Sequence, residues 1–460
     1  MNISNTSPGT IVQEAISVEA QQTLDALEQT VTQVRQQGEP LALIDALLTL
    51  GRAYFDTGNT PKGLTQVEEA LELAEAGSHQ EAAARLWGYK GMAFARLGNA
   101  QFAQRALFHS LNLATEIGHQ ALQADAQMQI GQLMAERGEL AKAVSRLEQA
   151  LAIAMAMGDH RRVMNLAGKL GGFFLTMQAL DKAAEYYAQA LHTAQQLALV
   201  RPQCSFLVGL GNVMLANNEP DAASEQYEQA LTLADSQDDS HGQIAALTGL
   251  LRAQIAAARQ SMAQLYGEQI IRIAQENNEA LAEINALNLL IDFLLQQGHT
   301  QRIFAYAQRG LAIAHAKADW GWQLTMLTHL GSAHLSQQQW EEALAHFTQA
   351  LTLAEQLQDS TAQAHLHGRM GAALAELQRL PAAIAATDTA LALAQTIGDP
   401  RLIGEQQVLL AFLYHDLGKR EQALTFCCQA LASFETCGAV PLAANAQALL
   451  AELNQTAAPS

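Results

Sequence analysis

Four cysteines in 460 residues, at Cys204, Cys427, Cys428 and Cys437, leave neither a disulfide framework nor a zinc-ligand spacing. Aromatic residues are only 5% of the chain, too few to line a thick globular core but enough for helices that pack closely. Basic residues are outnumbered 26 to 45, giving a formal charge of −19, which repels nucleic acid and anionic membrane surfaces alike. No charged-then-apolar leader follows Met1, and no uninterrupted run of about 18 apolar residues occurs. A cytoplasmic location without membrane insertion is therefore expected. Also missing are a glycine-rich phosphate loop, a Gly-x-Ser-x-Gly elbow and a His-Glu-x-x-His helix. His365 and His367 stand two apart and face different ways on a helix. His329 and His365 lack a third ligand and have Arg369 close by. No catalytic residue, metal or cofactor is assigned, and a non-enzymatic role is expected.

What the chain has in abundance is one pattern. In the stretch Gln123 to Asp159, Ala126, Ile130, Leu133 and Met134 form a helical stripe that Gly131 interrupts without ending. A glycine inside a helix costs about 1 kcal/mol against alanine, so Gly131 marks a place where another helix comes close. Gly138 then closes the helix. A second helix follows from Leu140, with its stripe at Ala143, Leu147, Ala150, Leu151 and Ala154, and Gly158-Asp159 ends it and caps the next. Such a hairpin keeps an apolar side that only another hairpin covers.

The pattern recurs every forty residues: Leu71, Leu111, Leu151, Leu191, Leu231, Ile271, Leu311, Leu351, Leu391 and Leu431 hold one phase, and Ala74 through Ala394 lie three beyond. The leucine phase is expected to be fully buried. The interrupting glycine returns as Gly51, Gly91, Gly171, Gly211, Gly331 and Gly371. Proline supplies an independent check, because it is tolerated only in a helix's first turn. Pro40, Pro202, Pro400 and Pro441 fall at starts of first helices, and Pro61, Pro220 and Pro381 at starts of second helices. Cys427 occupies the phase of Tyr187 and Tyr227 and reads as a small buried residue. Around residues 245–320 the glycine phase becomes Leu251 and Ile291; these larger side chains are expected to spread or tilt the helix pairs and alter the curvature.

Trp87, Ile130-Gly131, Tyr54, Ala143 and Ala150-Leu151 resemble the tetratricopeptide (TPR) repeat over about 400 residues. The longer period, ending at Gly-Asp, is similar to the subclass found in kinesin light chains, spindle-orientation adaptors and bacterial regulators. The resemblance implies an all-α solenoid, a right-handed superhelix of antiparallel hairpins. The expected layout is a polar tail over 1–17, a capping helix over 18–37, ten repeats over 41–438, a capping helix over 441–454 and a tail over 455–460, all in a single array over 18–454.

The resemblance also implies that first helices line a concave groove at fixed offsets from the glycine. Carried onto this chain, those positions are Arg85, Tyr89, Met92 and Arg96, then Asp125, Gln129, Gln132 and Glu136, then Asn165, Lys169, Asn212 and Arg252. Farther on they are Asn285, Asn288, Asp292, Thr325, His329, Ser332, His365, Arg369 and Glu376. A groove rich in amides suits a peptide or helical segment, since an amide donates and accepts at once. Lys169 and Asn212 lack the further basic residues of a carboxylate clamp. The expected function is a scaffold or adaptor that binds cytoplasmic proteins; the alternative is a ligand-responsive regulator acting through a partner effector.

Overall fold

The computed structural model describes residues 18–298 and 301–455; the tail expected over 1–17 and the residues past 455 lie outside them. The helices fall into two compact units that divide between Asp239 and Ser240. The N-terminal unit holds α1 (Val18–Gln37), α2 (Pro40–Asp56), α3 (Thr60–Ala76), α4 (Gln80–Arg96), α5 (Ala100–Glu116) and α6 (Gln120–Glu136). It continues with α7 (Leu140–Ala156), α8 (His160–Thr176), α9 (Leu180–Gln196), α10 (Val200–Ala216) and α11 (Pro220–Asp235). The C-terminal unit holds α12 (Ser240–Ala256), α13 (Gln260–Glu276), α14 (Ala280–Gln296), α15 (Gln301–Ala316), α16 (Trp320–Ser336) and α17 (Trp340–Gln356). It ends with α18 (Ser360–Glu376), α19 (Leu380–Ile397), α20 (Pro400–Asp416), α21 (Arg420–Thr436) and α22 (Val440–Gln455). Even-numbered helices from α2 to α20 are the first helices of hairpins, and the odd-numbered helix after each is its second. The fold is an all-α solenoid of such hairpins.

The register is finer than the repeat. A residue with positive φ closes a helix at every twentieth position, from Gly38, Gly58 and Ser78 to Gly418 and Gly438. At each such end the chain folds back on itself, as where Asp159 N–H reaches Ala154 O at 3.0 Å and Gly158 N–H reaches Met155 O at 3.1 Å. This closure satisfies carbonyls that the helix leaves open and lets the next helix start within two to four residues. Asp159 then accepts from Arg162 N as an N-cap, and each of the seven prolines singled out above lies in a first turn.

In seven of the ten hairpins a first-helix glycine receives the side chain sixteen residues on. A Cβ on Gly91 would stand 2.6 Å from Leu107, one on Gly171 2.8 Å from Tyr187 and one on Gly211 2.5 Å from Tyr227; Gly331 is likewise closed by Phe347. Where the first helix carries the bulk instead, the partner shrinks: Leu251 faces the phase of Gly267, and Ile291 that of Ala307, all buried. These two hairpins, α12–α13 and α14–α15, are the most loosely apposed of the ten, as the larger first-helix residues predict.

One expectation about burial needs correction. Of the leucine phase, Leu71, Leu151 and Leu391 are buried, while Leu231 and the remaining members are half-buried. The fully enclosed phase is one residue earlier, at Ala70, Ala150, Ala190, Ala230, Ala350, Ala390 and Ala430. Close helix apposition leaves room for a methyl group there, and the leucine beside it lies at the seam with the next hairpin. Cys427 is fully buried, with its thiol donating to Ala446 O at 3.2 Å, and burial pushes its pKa up. Among the described residues, Leu380–Ile397 is the one helix long and apolar enough to cross a membrane; Thr387, Asp388 and Thr389 interrupt its apolar run, and it packs as the second helix of the α18–α19 hairpin.

Candidate functional site

Several successive first helices touch one another, among them α4 with α6, α14 with α16 and α18 with α20, and no pair of second helices does so to the same extent. The first-helix side of each unit is therefore a sheet of neighbouring rods on which side chains from three hairpins meet. Most of the residues expected to face a ligand lie here.

In the N-terminal unit these residues are largely engaged with the protein itself. Asp125 on α6 accepts from Arg162 of α8 at 2.9 and 3.0 Å, a bidentate pair that fixes two first helices. Lys169 donates to Gln132 at 3.2 Å, and Arg85 pairs with Glu81 at 2.8 Å. Arg96 donates to Phe55 O at 3.0 Å and lies over the Phe55 ring, so it caps α2. Asn212 accepts from the Tyr227 hydroxyl at 2.8 Å inside its own hairpin. Tyr89 is half-buried beneath Arg52, and Met92 is half-buried, whereas Asn165 and Glu136 are exposed.

In the C-terminal unit five of the expected residues come together across three helices. His329 on α16 is 8% exposed, and its Nε2 lies 2.8 Å from Asn288 Oδ1 on α14. Because that oxygen can only accept, Nε2 carries the proton. The Asn288 amide in turn donates to Asp292 Oδ2 at 3.2 Å. Arg369 on α18 donates to Ser332 Oγ on α16, and the Ser332 hydroxyl donates in turn to Thr328 O at 2.7 Å. Burial, and then the Arg369 charge, lower the His329 pKa to about 4, so the ring is neutral near pH 7. Desolvation raises the Asp292 carboxyl against the pull of Arg369 and of the Asn288 amide. Thr325 is half-buried, and Arg252, Asn285, His365 and Glu376 are exposed on the same kind of helix without joining this chain.

A tetratricopeptide-repeat family model matches residues 327–361, from the middle of α16 to the start of α18. The fold is similar to that of a Signal Transduction ATPase with Numerous Domains protein with a tetratricopeptide repeat sensor from Pyrococcus horikoshii, at 13% identity and TM-score 0.56, over 88% of this chain and 55% of that one. It is also similar to the apo form of the quorum sensor NprR from B. thuringiensis, at 13% identity and TM-score 0.50, over 64% of this chain and 84% of that one. The fold is that of a tetratricopeptide-repeat (TPR) solenoid. No curated protein matches its sequence.

Two cavities open on the first-helix side of the TPR hairpins. One, of about 310 Å³, lies among α2, α4 and α6 and is lined by Arg52, Arg85, Gly88, Tyr89 and Gln129. The other, of about 510 Å³, lies between α18 and α20 and is lined by His365, Gly368, Arg369, Arg401, Glu405 and Gln406. Gln129 and Gln406 each keep a buried side-chain oxygen without a hydrogen-bond partner. None of the positions expected from the sequence lies beyond Glu376, so the α20 wall is not among them. The same offsets carried one repeat further reach Glu405 and the exposed Phe412, whereas Gln406 stands one residue off the pattern.

Proposed function

We propose that this protein is a non-catalytic interaction scaffold whose first-helix face in the C-terminal unit binds a segment of a cytoplasmic partner protein. The TPR fold supports a protein-interaction role. The observation that carries the finer reading is the polar chain Asn288, Asp292, His329, Ser332 and Arg369, which joins three successive first helices. Helices held by such links present donors and acceptors in a fixed row, so little order has to be imposed when a segment docks. Amides, a neutral imidazole and a guanidinium offer an extended segment both hydrogen-bond polarities.

The test is capture of partners on the immobilised protein, identification of the bound segment, and titration of that purified segment. Asp292→Lys and Arg369→Glu are expected to weaken binding by tenfold or more, about 1.4 kcal/mol, while Arg272→Glu on the second-helix side leaves it unchanged. Equal affinity for all three variants contradicts the reading.

Likeness to a quorum sensor and to a TPR sensor favours a second reading, a ligand-responsive regulator that works through a partner. Solution scattering separates the two. A change in dimensions when the identified segment is added supports regulation, and an unchanged curve supports a static scaffold.

A further inference from the structure

The cavity between α18 and α20 carries an unfilled chemical demand. Gln406 is 6% exposed, and its Oε1 has no donor. Its amide lies over Gly368, where an added Cβ would collide with it. Two hundred residues earlier, at the same repeat phase, the space over Gly168 is taken by the Phe206 ring, whose Cε1 stands 2.5 Å from where a Cβ would be. That place on the first-helix face thus accepts a flat side chain, and in the C-terminal unit the chain puts a polar one there with its oxygen unsatisfied. A buried acceptor without a donor is costly, and a ligand that brings the donor removes the cost.

The rim narrows the ligand class. Arg401 pairs with Glu405 at 3.1 Å, Asp399 accepts from the backbone N–H groups of Arg401 and Leu402, and Arg369 is bonded to Ser332. An ammonium group would supply the donor but meet two guanidinium groups. A carboxylate would suit the guanidinium groups but bring a second acceptor against Gln406 Oε1 and a second anion beside Glu405. A primary carboxamide meets both needs while neutral. We propose that this cavity recognises a side-chain carboxamide, the Asn or Gln of a partner's segment, which donates N–H to Gln406 Oε1 while its carbonyl accepts from Arg369 or Arg401. This rests on the first-helix face being the binding surface. Gln129, over Gly88 in the cavity among α2, α4 and α6, repeats the arrangement of amide over glycine with a donorless oxygen.

The probe is a set of fluorescein-labelled nine-residue peptides with an alanine-serine background and a single central Gln, Asn, Leu, Glu or Lys, titrated against the full chain by anisotropy. The Gln or Asn peptide is expected to bind about tenfold tighter than the Leu, Glu and Lys peptides, as two added hydrogen bonds of ordinary strength allow. Gln406→Leu should reduce that preference to within about twofold while melting no lower than the parent, because it deletes a donorless buried oxygen. Gly368→Ala, which displaces the amide, should do the same. Equal affinity across the set, preference for Glu or Lys, no binding by any peptide, or a preference that survives Gln406→Leu would overturn the proposal. If peptide preference fails while an identified partner segment still loses affinity to Asp292→Lys, the ligand class falls and the binding face stands.

Discussion

Gly88 and Gln129 in the N-terminal unit hold the same two repeat positions as Asn288 and His329 in the C-terminal unit, five repeats later. In the later pair the buried polar group is satisfied, with His329 bonded to Asn288 at 2.8 Å. In the earlier pair glycine offers nothing, and the Gln129 oxygen is left without a donor beside a cavity of about 310 Å³. One scaffold position therefore either closes the first-helix face on itself or leaves it chemically open. The difference lies in two facing residues, glycine for asparagine on one helix and glutamine for histidine on the next, so a repeat fold can vary the chemistry of its face without altering its backbone.

The largest effect expected from this contrast is on pH dependence. His329 has a pKa of about 4 when folded against about 6.5 when unfolded, so the unfolded chain binds the proton more tightly. Its contribution is complete above pH 6.5, falls as pH drops toward 4 and is lost below that, a change of about 3 kcal/mol. Asp292, whose pKa is raised, acts with the opposite sign, so the comparison must be with His329→Gln, which imitates Gln129. Chemical unfolding from pH 7 to 4 should show a shallower decline in that variant; parallel curves would break the contrast. Next in size, Asn288→Gly imitates Gly88, leaves His329 without its acceptor and should cost about 2 kcal/mol, read in the denaturation midpoint of the C-terminal unit. The reverse change, Gly88→Asn, is a tight fit: a Cβ there would sit 3.1 Å from Gln129 Oε1 and 3.4 Å from Ser110 Oγ, so the Gln129 amide has to give by a few tenths of an ångström. It should stabilise by about 1 kcal/mol and, by supplying the donor, close the cavity's open acceptor. A drop in stability would show that Gln129 cannot turn to meet it.

The smallest change touches neither face and serves as the control. Ala198 and Ala258 hold the left-handed position that glycine holds at Gly138 or Gly158. Ala198→Gly should gain about 0.5 kcal/mol, the relief of a Cβ strained at positive φ less the extra entropy of the unfolded glycine. No change in segment binding is expected.

Much of the fold is legible in the sequence because its constraints are local. Gly138 and Asp159 close and cap helices through bonds a few residues long, and Gly131 announces a close approach that Ala143 and Leu147 fulfil. The leucine phase misleads because hydrophobicity ranks Leu231 above Ala230, whereas helix spacing favours the smaller residue at the centre. The candidate face is legible as positions but not as pairings. Nothing near Arg96 in sequence says that it bonds Phe55 O forty-one residues away, and nothing near Asn212 says that it is taken by Tyr227. Gln406 escapes because its state depends on the missing side chain of Gly368, a vacancy on another helix.

If ligands meet this protein on its first helices, photo-crosslinking will find them there. Benzoylphenylalanine in place of His365, exposed beside the Arg369 cavity, should trap the co-purified partner on irradiation, while the same group in place of Arg272 on α13 should not. Trapping at position 272 with none at 365 would contradict the account.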